Sequence, residues 1–409
     1  MIKYRVFKDQ KSVQAQLAEN SLRHCIMQGV NFERGFADWS KVDCQGAVFI
    51  GCSFEPIDEE LVLRRTGALV IPRISGLPYD PFRTTLYTPA ELMAGYDPLK
   101  GGFDASFDAK VYKHFKDHGG HDADILEALA QRIHDFSIDT AIKELLAVIP
   151  ETGLPSRKAV GVMGGHRVQR DEDSYRKTVE MAALMTREGY FIVSGGGPGI
   201  MEAANVGAYL ANAGPDSIDR AIDILAKVPN FALDNGGLSP GYITQAQAVL
   251  QQFPKGEESL AIPTWFYGHE PVNLFASHIG KYFSNSIRED GLLSICVYGI
   301  IYSPGAAATT QEVFADAAQN HYGTFDYYSP MTFLGSSHYL QSQIYSCLTQ
   351  QAAGNTYAQL ITISDEPAKL LKFFQDHPPI PTEQQVKKLA ERTKNSASGS
   401  EAGVLPEAD

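Results

Sequence analysis

The chain has 409 residues, 44% hydrophobic and 20% charged, which is too long for one compact core and unlike a fibrous or disordered composition, so two domains are expected. Acidic side chains outnumber basic ones 48 to 35, and the formal charge of -13 repels a polyanion and argues against a nucleic-acid partner. No run approaches the roughly 20 apolar residues of a spanning helix, the first residues lack the apolar core of a secretion signal, and the five cysteines form no CxxC pair; the reading is a cytoplasmic protein with reduced thiols, no membrane contact and no zinc site.

Residues 1–150 are read as a smaller N-terminal accessory domain of mixed structure, helical at its end. Phe49 and Phe54 stand five apart with small residues between, a faint pentapeptide spacing of only two rungs. Apolar positions Ile125, Leu126, Leu129, Ile133, Ile138, Ile142, Leu145 and Leu146 suit one or two amphipathic helices packed on the second domain. The stretch PETGLPSR at 150–157 breaks the pattern and marks a boundary.

From residue 151 to 377, short apolar runs at 159–163, 190–194, 259–263, 297–302, 331–335 and 359–364 alternate with helical stretches at 174–188, 200–212, 273–294, 310–321 and 366–376. This alternation predicts an α/β fold, a doubly wound Rossmann-like parallel sheet with helices on both faces. Residues 214–258 read as an irregular insertion, in a position to act as a lid. Residues 378–409 are polar and unpatterned and read as a disordered tail.

Two strand-to-helix junctions carry the chemistry. At 194–202 the sequence SGGGPGIME puts Gly195, Gly196, Gly197 and Gly199 where a doubly wound sheet binds ligands. Glycines allow close backbone approach, and the helix start attracts an anion. The plain alternative is a tight turn without a ligand, and the spacing is not the GxGxxG of dinucleotide binding. At 303–312 the sequence SPGAAATTQE makes a second such turn. Its plain alternative is a capping box, with Thr309 and Glu312 satisfying the first donors of the helix.

Taken together, GGGPGIMEA and PGAAATTQE resemble the motifs GGGxxGxM and PGGxGTxxE of the Lonely Guy family, long mislabelled as lysine decarboxylases. With VGVMGGHRV and WFYGHEPVNLFASHIGKYFSNSIREDGL, the likeness extends over about residues 159–335 and is nearest the larger bacterial nucleotide nucleosidases. It implies hydrolysis of the N-glycosidic bond of a nucleoside 5′-monophosphate to free base and ribose 5-phosphate. It also implies no metal, no cofactor, and a homo-oligomer, a dimer or larger. Carried over by position, the catalytic residues are Glu312 and Arg288. The nucleotide-binding loops are Gly164 and Gly165; Gly195, Gly196, Gly197 and Gly199 with Met201 and Glu202; and Gly305, Ala306, Ala308, Thr309 and Thr310. His166, Arg167 and His269 are candidates for the base pocket, beside Trp265, Phe266, Tyr267 and Glu270, and Glu202 for a ribose hydroxyl.

A carboxylate suits this chemistry, since breaking a C1′–N bond builds positive charge on the ribose that an acid can stabilise, and the same group can deprotonate water. An arginine can hold a phosphate or keep the acid aimed. The departure from the family pattern is alanine at 306 and 308 in place of two glycines. Alanine is strained if either position needs a left-handed backbone, so a non-catalytic nucleotide-binding or sensor protein is the alternative to the enzyme. Lysine decarboxylation is excluded because neither loop contains a lysine to bind pyridoxal.

Overall fold

In the computed structural model the described residues are 4–233, 237–268 and 270–400, the last eight by backbone alone. In chain order the first elements are β1 (Arg5–Phe7), α1 (Gln10–Leu17), β2 (Cys25–Gln28), β3 (Asn31–Phe32), β4 (Val48–Phe54), α2 (Glu59–Arg65), β5 (Leu69–Pro72), α3 (Pro89–Leu92), α4 (Phe107–Asp117) and α5 (Ile125–Leu146). Then follow β6 (Lys158–Met163), α6 (Asp173–Arg187), β7 (Tyr190–Ser194), α7 (Ile200–Leu210), α8 (Ser217–Leu225), α9 (Pro240–Gln252), β8 (Leu260–Ala261), β9 (His278–Ile279), α10 (Asn285–Ile295) and β10 (Ile300–Tyr302). The last are α11 (Ala307–Tyr322), β11 (Tyr327–Tyr328), β12 (Met331–Leu334), α12 (Ser336–Gln341), α13 (Ile344–Ala352), β13 (Ile361–Ser364), α14 (Pro367–Asp376), β14 (Ile380–Pro381) and α15 (Glu383–Ser400).

The chain divides into two compact units that interleave in sequence. One comprises residues 1–86, 110–142 and 282–284, the other 87–109, 143–281 and 285–409, whereas the sequence reading drew a single cut near residue 150. The first unit holds a five-stranded parallel sheet in the order β1-β2-β4-β3, with β5 also on β4. Phe49 and Phe54 both lie on β4, not on successive rungs of a coil. Five apart, they would face opposite sides of a regular strand. The register shift between Ile50 and Cys52 restores Phe54 to the buried side, and Gly51, at φ +61, leaves room for the Phe82 ring. Both phenylalanines join Phe32 and Trp39 in the core.

In α5 the expected apolar positions divide: Ile125, 89% exposed, Leu126 and Leu129 near its start face outward, whereas Ile138, Ile142 and Leu146 in its second half are buried. The buried side of α5 also carries polar residues, and their partners are supplied. Glu127 accepts from Tyr79 Oη (2.9 Å), Ser137 Oγ donates to the Pro81 carbonyl (2.9 Å), and Asp135 accepts the N–H groups of Phe283 and Ser284 (2.9 Å each). Satisfied polar groups can be buried at little net cost.

The second unit is built on a seven-stranded parallel sheet in the order β13-β12-β10-β6-β7-β8-β9, flanked by helices. Its strands are continuous apolar runs because both faces are covered. Val160, Val162, Ile192 and Ile301 pack with Met181, Met185, Ala204, Leu370 and Phe374 of α6, α7 and α14. Strand order reverses between β6 and β10, which is where an open α/β sheet leaves its ligand crevice.

Four expectations are corrected. The stretch 214–258 is not wholly irregular but holds α8 and α9, whose Ala221, Leu225, Ala246 and Val249 pack on Val179, Ala203 and Leu210; its residues 234–236 lie outside the described residues. The helix expected over 273–294 starts only at Asn285, because Asn273 Oδ1 accepts the Phe275 N–H (3.1 Å) and His278–Ile279 pairs with β8, local bonds that compete with helix. Helices α12 and α13 were not foreseen. The tail forms β14, paired antiparallel with β11, and α15, capped by Thr382 Oγ1 on the Gln385 N–H (3.2 Å) and tied by Lys388 to Asp326 (2.8 Å); residues 401–409 of it lie outside the described residues. All five cysteines are free, and only Cys347 among them is exposed. No helix among the described residues is long and apolar enough to cross a membrane.

Candidate functional site

Three loops meet at the carboxyl edge of β6, β7 and β10. Gly165 stitches them together, its N–H donating to the Pro304 carbonyl (2.9 Å) and its carbonyl accepting from Ile200 N–H (3.1 Å). A Cβ at Gly164 would meet the Ile200 side chain at 2.5 Å, and one at Gly199, where φ is +69, would collide with the Gly165 carbonyl. Glycine at 164 and 199 is therefore required by loop-on-loop contact. Gly196, at φ +76, packs on Pro263. The third loop is anchored through Ser303, whose Oγ pairs with Thr178 Oγ1 (2.8 Å) and whose carbonyl accepts from Tyr339 Oη (2.7 Å).

Helix α11 begins at Ala307 with Ala306 as a cap that offers no side-chain bond, so Thr309 and Glu312 do not form a capping box. Thr310 N–H is bonded to the Ala306 carbonyl (3.0 Å), and the donors ahead of it form the anion-attracting end of the helix. Ala306 has φ -104 and Ala308 is helical, so neither position needs glycine. Residues 306–308 are exposed, and their methyl groups do not fill the loop. Thr309 is buried against Gly305, and Thr310 Oγ1 bonds back to the Ala306 carbonyl (3.2 Å).

The two residues carried over as catalytic come together. Arg288, on α10, places Nη1 3.9 Å from Glu312 Oε1. The rest of its fork is engaged with backbone: Nε donates to the Ile262 carbonyl (2.7 Å) and Nη2 to that of Gly195 (3.0 Å). Arg288 thus fastens the glycine loop to the segment after β8, and its Nη2 together with Met201 Sδ crowds any side chain at Gly195. It is not the surface ion pair with Glu289 or Asp290 that its neighbours in sequence suggest. Glu312 is largely buried, and burial pushes its carboxyl up from 4.5 to about 7; Arg288 opposes the shift and Glu289 adds to it. An acid poised there can give or take a proton at neutral pH.

Glu202 is not turned toward a ligand. It is the centre of a buried network in which Arg170 donates twice (Nε 2.8 Å, Nη2 2.6 Å), Tyr175 Oη once (2.9 Å) and Tyr242 Oη once (2.7 Å). Arg170 also donates to the Tyr242 carbonyl (3.0 Å), so the pair clamps α9 to α7. Glu202 is 4% exposed and holds four donors, so its carboxylate serves this network rather than a ribose hydroxyl. Met201 lines the inner side of the loop, its Cε 2.7 Å from where a Cβ on Gly197 would lie. His166 and Arg167 are exposed. His269 lies outside the described residues.

The remaining base-pocket candidates of the 265–270 stretch are disposed differently. Trp265 is fully buried, its Nε1 donating to Asp108 Oδ1 (3.0 Å), and Lys281 Nζ lies 2.7 Å from the same oxygen; this is structural, not base-stacking. Tyr267 is exposed, and its Oη accepts from Asn285 Nδ2 (2.8 Å), which also donates to Glu289 (2.7 Å). Glu270 reaches Gly197, with Oε2 2.9 Å from the position of a Cβ there. Burial raises its carboxyl, while Lys281, His166 and Arg288 draw it back. Among the described residues no group of three or more His, Cys, Asp or Glu side chains is arranged to hold a metal ion.

The model of the SLOG cluster4 family matches residues 157–214, the stretch that holds β6, α6, β7 and α7. No curated protein matches the chain. Among solved structures, the chain is similar to a molybdenum cofactor carrier protein from Chlamydomonas reinhardtii, at 13% identity over 54% of this chain and 97% of that one, with a TM-score of 0.33. It is similar also to a molybdenum cofactor binding protein from Rippkaea orientalis, at 13% identity over 54% and 96%, again with a TM-score of 0.33. Likenesses this faint say nothing of the ligand.

Proposed function

We propose that the protein hydrolyses the N-glycosidic bond of a nucleoside 5′-monophosphate, releasing the base and ribose 5-phosphate. The observation that carries this reading is Glu312, a carboxyl raised to about 7, set 3.9 Å from Arg288 beside two anion-ready helix starts. In this reading the phosphate is held at the loops after β7 and β10. As the C1′–N bond lengthens, ionised Glu312 stabilises the positive charge on the ribose and takes the proton of the attacking water, while the base leaves with the electron pair of that bond and is protonated from solvent. Arg288 fixes the loop and keeps Glu312 aimed.

The test is incubation with AMP, GMP, IMP, CMP and UMP, assaying free base and ribose 5-phosphate. Wild type is expected to release both from at least one substrate, and Glu312→Gln to lose roughly a hundredfold or more of that rate while still binding. A wild type that releases no base from any of the five sinks the enzymatic reading. One observation favours a second reading, nucleotide binding without turnover: residues 195–199 are buried and Arg288 is committed to two carbonyls. Tight binding with no product would establish it.

A further inference from the structure

A carboxyl group of the protein already stands against the glycine loop. Glu270 Oε2 lies 2.9 Å from where a Cβ on Gly197 would stand, so the carboxylate rests against the loop backbone. Burial raises this carboxyl and Asp108 adds to the rise, while Lys281, His166 and Arg288 oppose it. Around it the loop is closed: Arg288 takes the Gly195 carbonyl, Ser194 Oγ the Gly196 N–H, and the Gly165 carbonyl the Ile200 N–H. The Glu270 side chain makes no hydrogen bond to any described residue, and a partly buried acid without one is held weakly. Gly268, two residues earlier, has φ +136, a backbone state that glycine alone takes readily.

We propose that Glu270 is a specificity-determining residue whose carboxylate occupies the seat of the ligand's phosphate, so that only a ligand bearing a phosphate monoester displaces it. This rests on the nucleotide reading above. A neutral nucleoside has nothing to exchange for the carboxylate and leaves it in place; a monophosphate replaces one anion by another of greater charge.

The experiment is titration calorimetry of AMP and adenosine against wild type, Glu270→Gln and Glu270→Asp, each checked for a native thermal transition. Glu270→Gln keeps the shape and removes the charge; Glu270→Asp keeps the charge and draws it back by one methylene. AMP is expected to bind Glu270→Gln about tenfold more tightly than wild type and Glu270→Asp several-fold more tightly, with adenosine changed by less than about twofold. Equal or weaker AMP binding by both variants, with wild type still binding, overturns the proposal and leaves the nucleotide reading intact. Equal gains for AMP and adenosine in both variants also overturn it, because a phosphate-specific seat would not help the nucleoside. Failure of all three proteins to bind AMP overturns the nucleotide reading, and the proposal with it.

Discussion

Asp316 lies one turn beyond Glu312 on α11 and is buried, accepting from Tyr302 Oη (2.9 Å) and Asn320 Nδ2 (3.3 Å). Burial pushes its carboxyl from 3.8 to about 7, and Glu312 from 4.5 to about 7. Both acids therefore hold protons in the fold that the unfolded chain has released. Their contribution to stability is complete below about pH 4 and is lost as pH rises through 7. For Asp316 the amount is on the order of a few kcal/mol. Asp316→Asn is expected to flatten the fall in melting temperature between pH 5 and 8 and to leave the variant the more stable protein at pH 8; melting curves that stay parallel to wild type across that range sink the assignment. Arg288→Lys cannot reproduce the fork and is expected to cost roughly 1–3 kcal/mol in denaturant unfolding as well as activity. Unchanged unfolding would mean that the two carbonyl bonds contribute nothing. At this scale the sequence displayed Glu312 and Arg288, because both sit at fixed offsets from a glycine motif. It did not display Arg170, 32 residues from Glu202, nor Asp108 opposite Lys281, because pairing across that much chain leaves no periodicity.

Elements were legible where packing and local propensity agree. The six apolar runs correspond to β6, β7, β8, β10, β12 and β13, since a strand buried on both faces must be apolar throughout. Two-residue β9 was invisible because its register is set by β8 and Tyr87 rather than by its own residues. Amphipathic α8 was hidden by the glycines and prolines flanking it. The glycines differ in what they permit, and substitution separates them. Gly207 lets the Val179 carbonyl of α6 approach α7, so Gly207→Ala is expected to cost about 1–3 kcal/mol, read by thermal melting. Ala306→Gly is expected to change both stability and nucleotide affinity little, because φ -104 suits alanine. A gain in affinity above about fivefold would show instead that the methyl obstructs the ligand.

The molecule as a whole divides differently from a cut at residue 150. Residues 87–109 belong to the second unit, where Asp108 pairs with buried Lys281 and Tyr87 bonds to Ile279 in both directions (2.9 and 2.8 Å). A fragment starting at residue 151 strips these partners away, leaving a buried ammonium unpaired, at a cost of roughly 3–5 kcal/mol. It is expected to be insoluble or to lack a cooperative thermal transition. A cleanly melting 151–409 fragment would contradict that. Composition and length indicated two domains but not their weave, because the count of residues carries no record of which segments return.

That return also bears on biogenesis. Residues 282–284 complete the first unit, so it cannot finish folding before that stretch has left the ribosomal exit tunnel. The earlier segments of that unit must wait with their unclosed surfaces in reach of chaperones, and slowing translation upstream of that stretch lengthens the wait without relieving it.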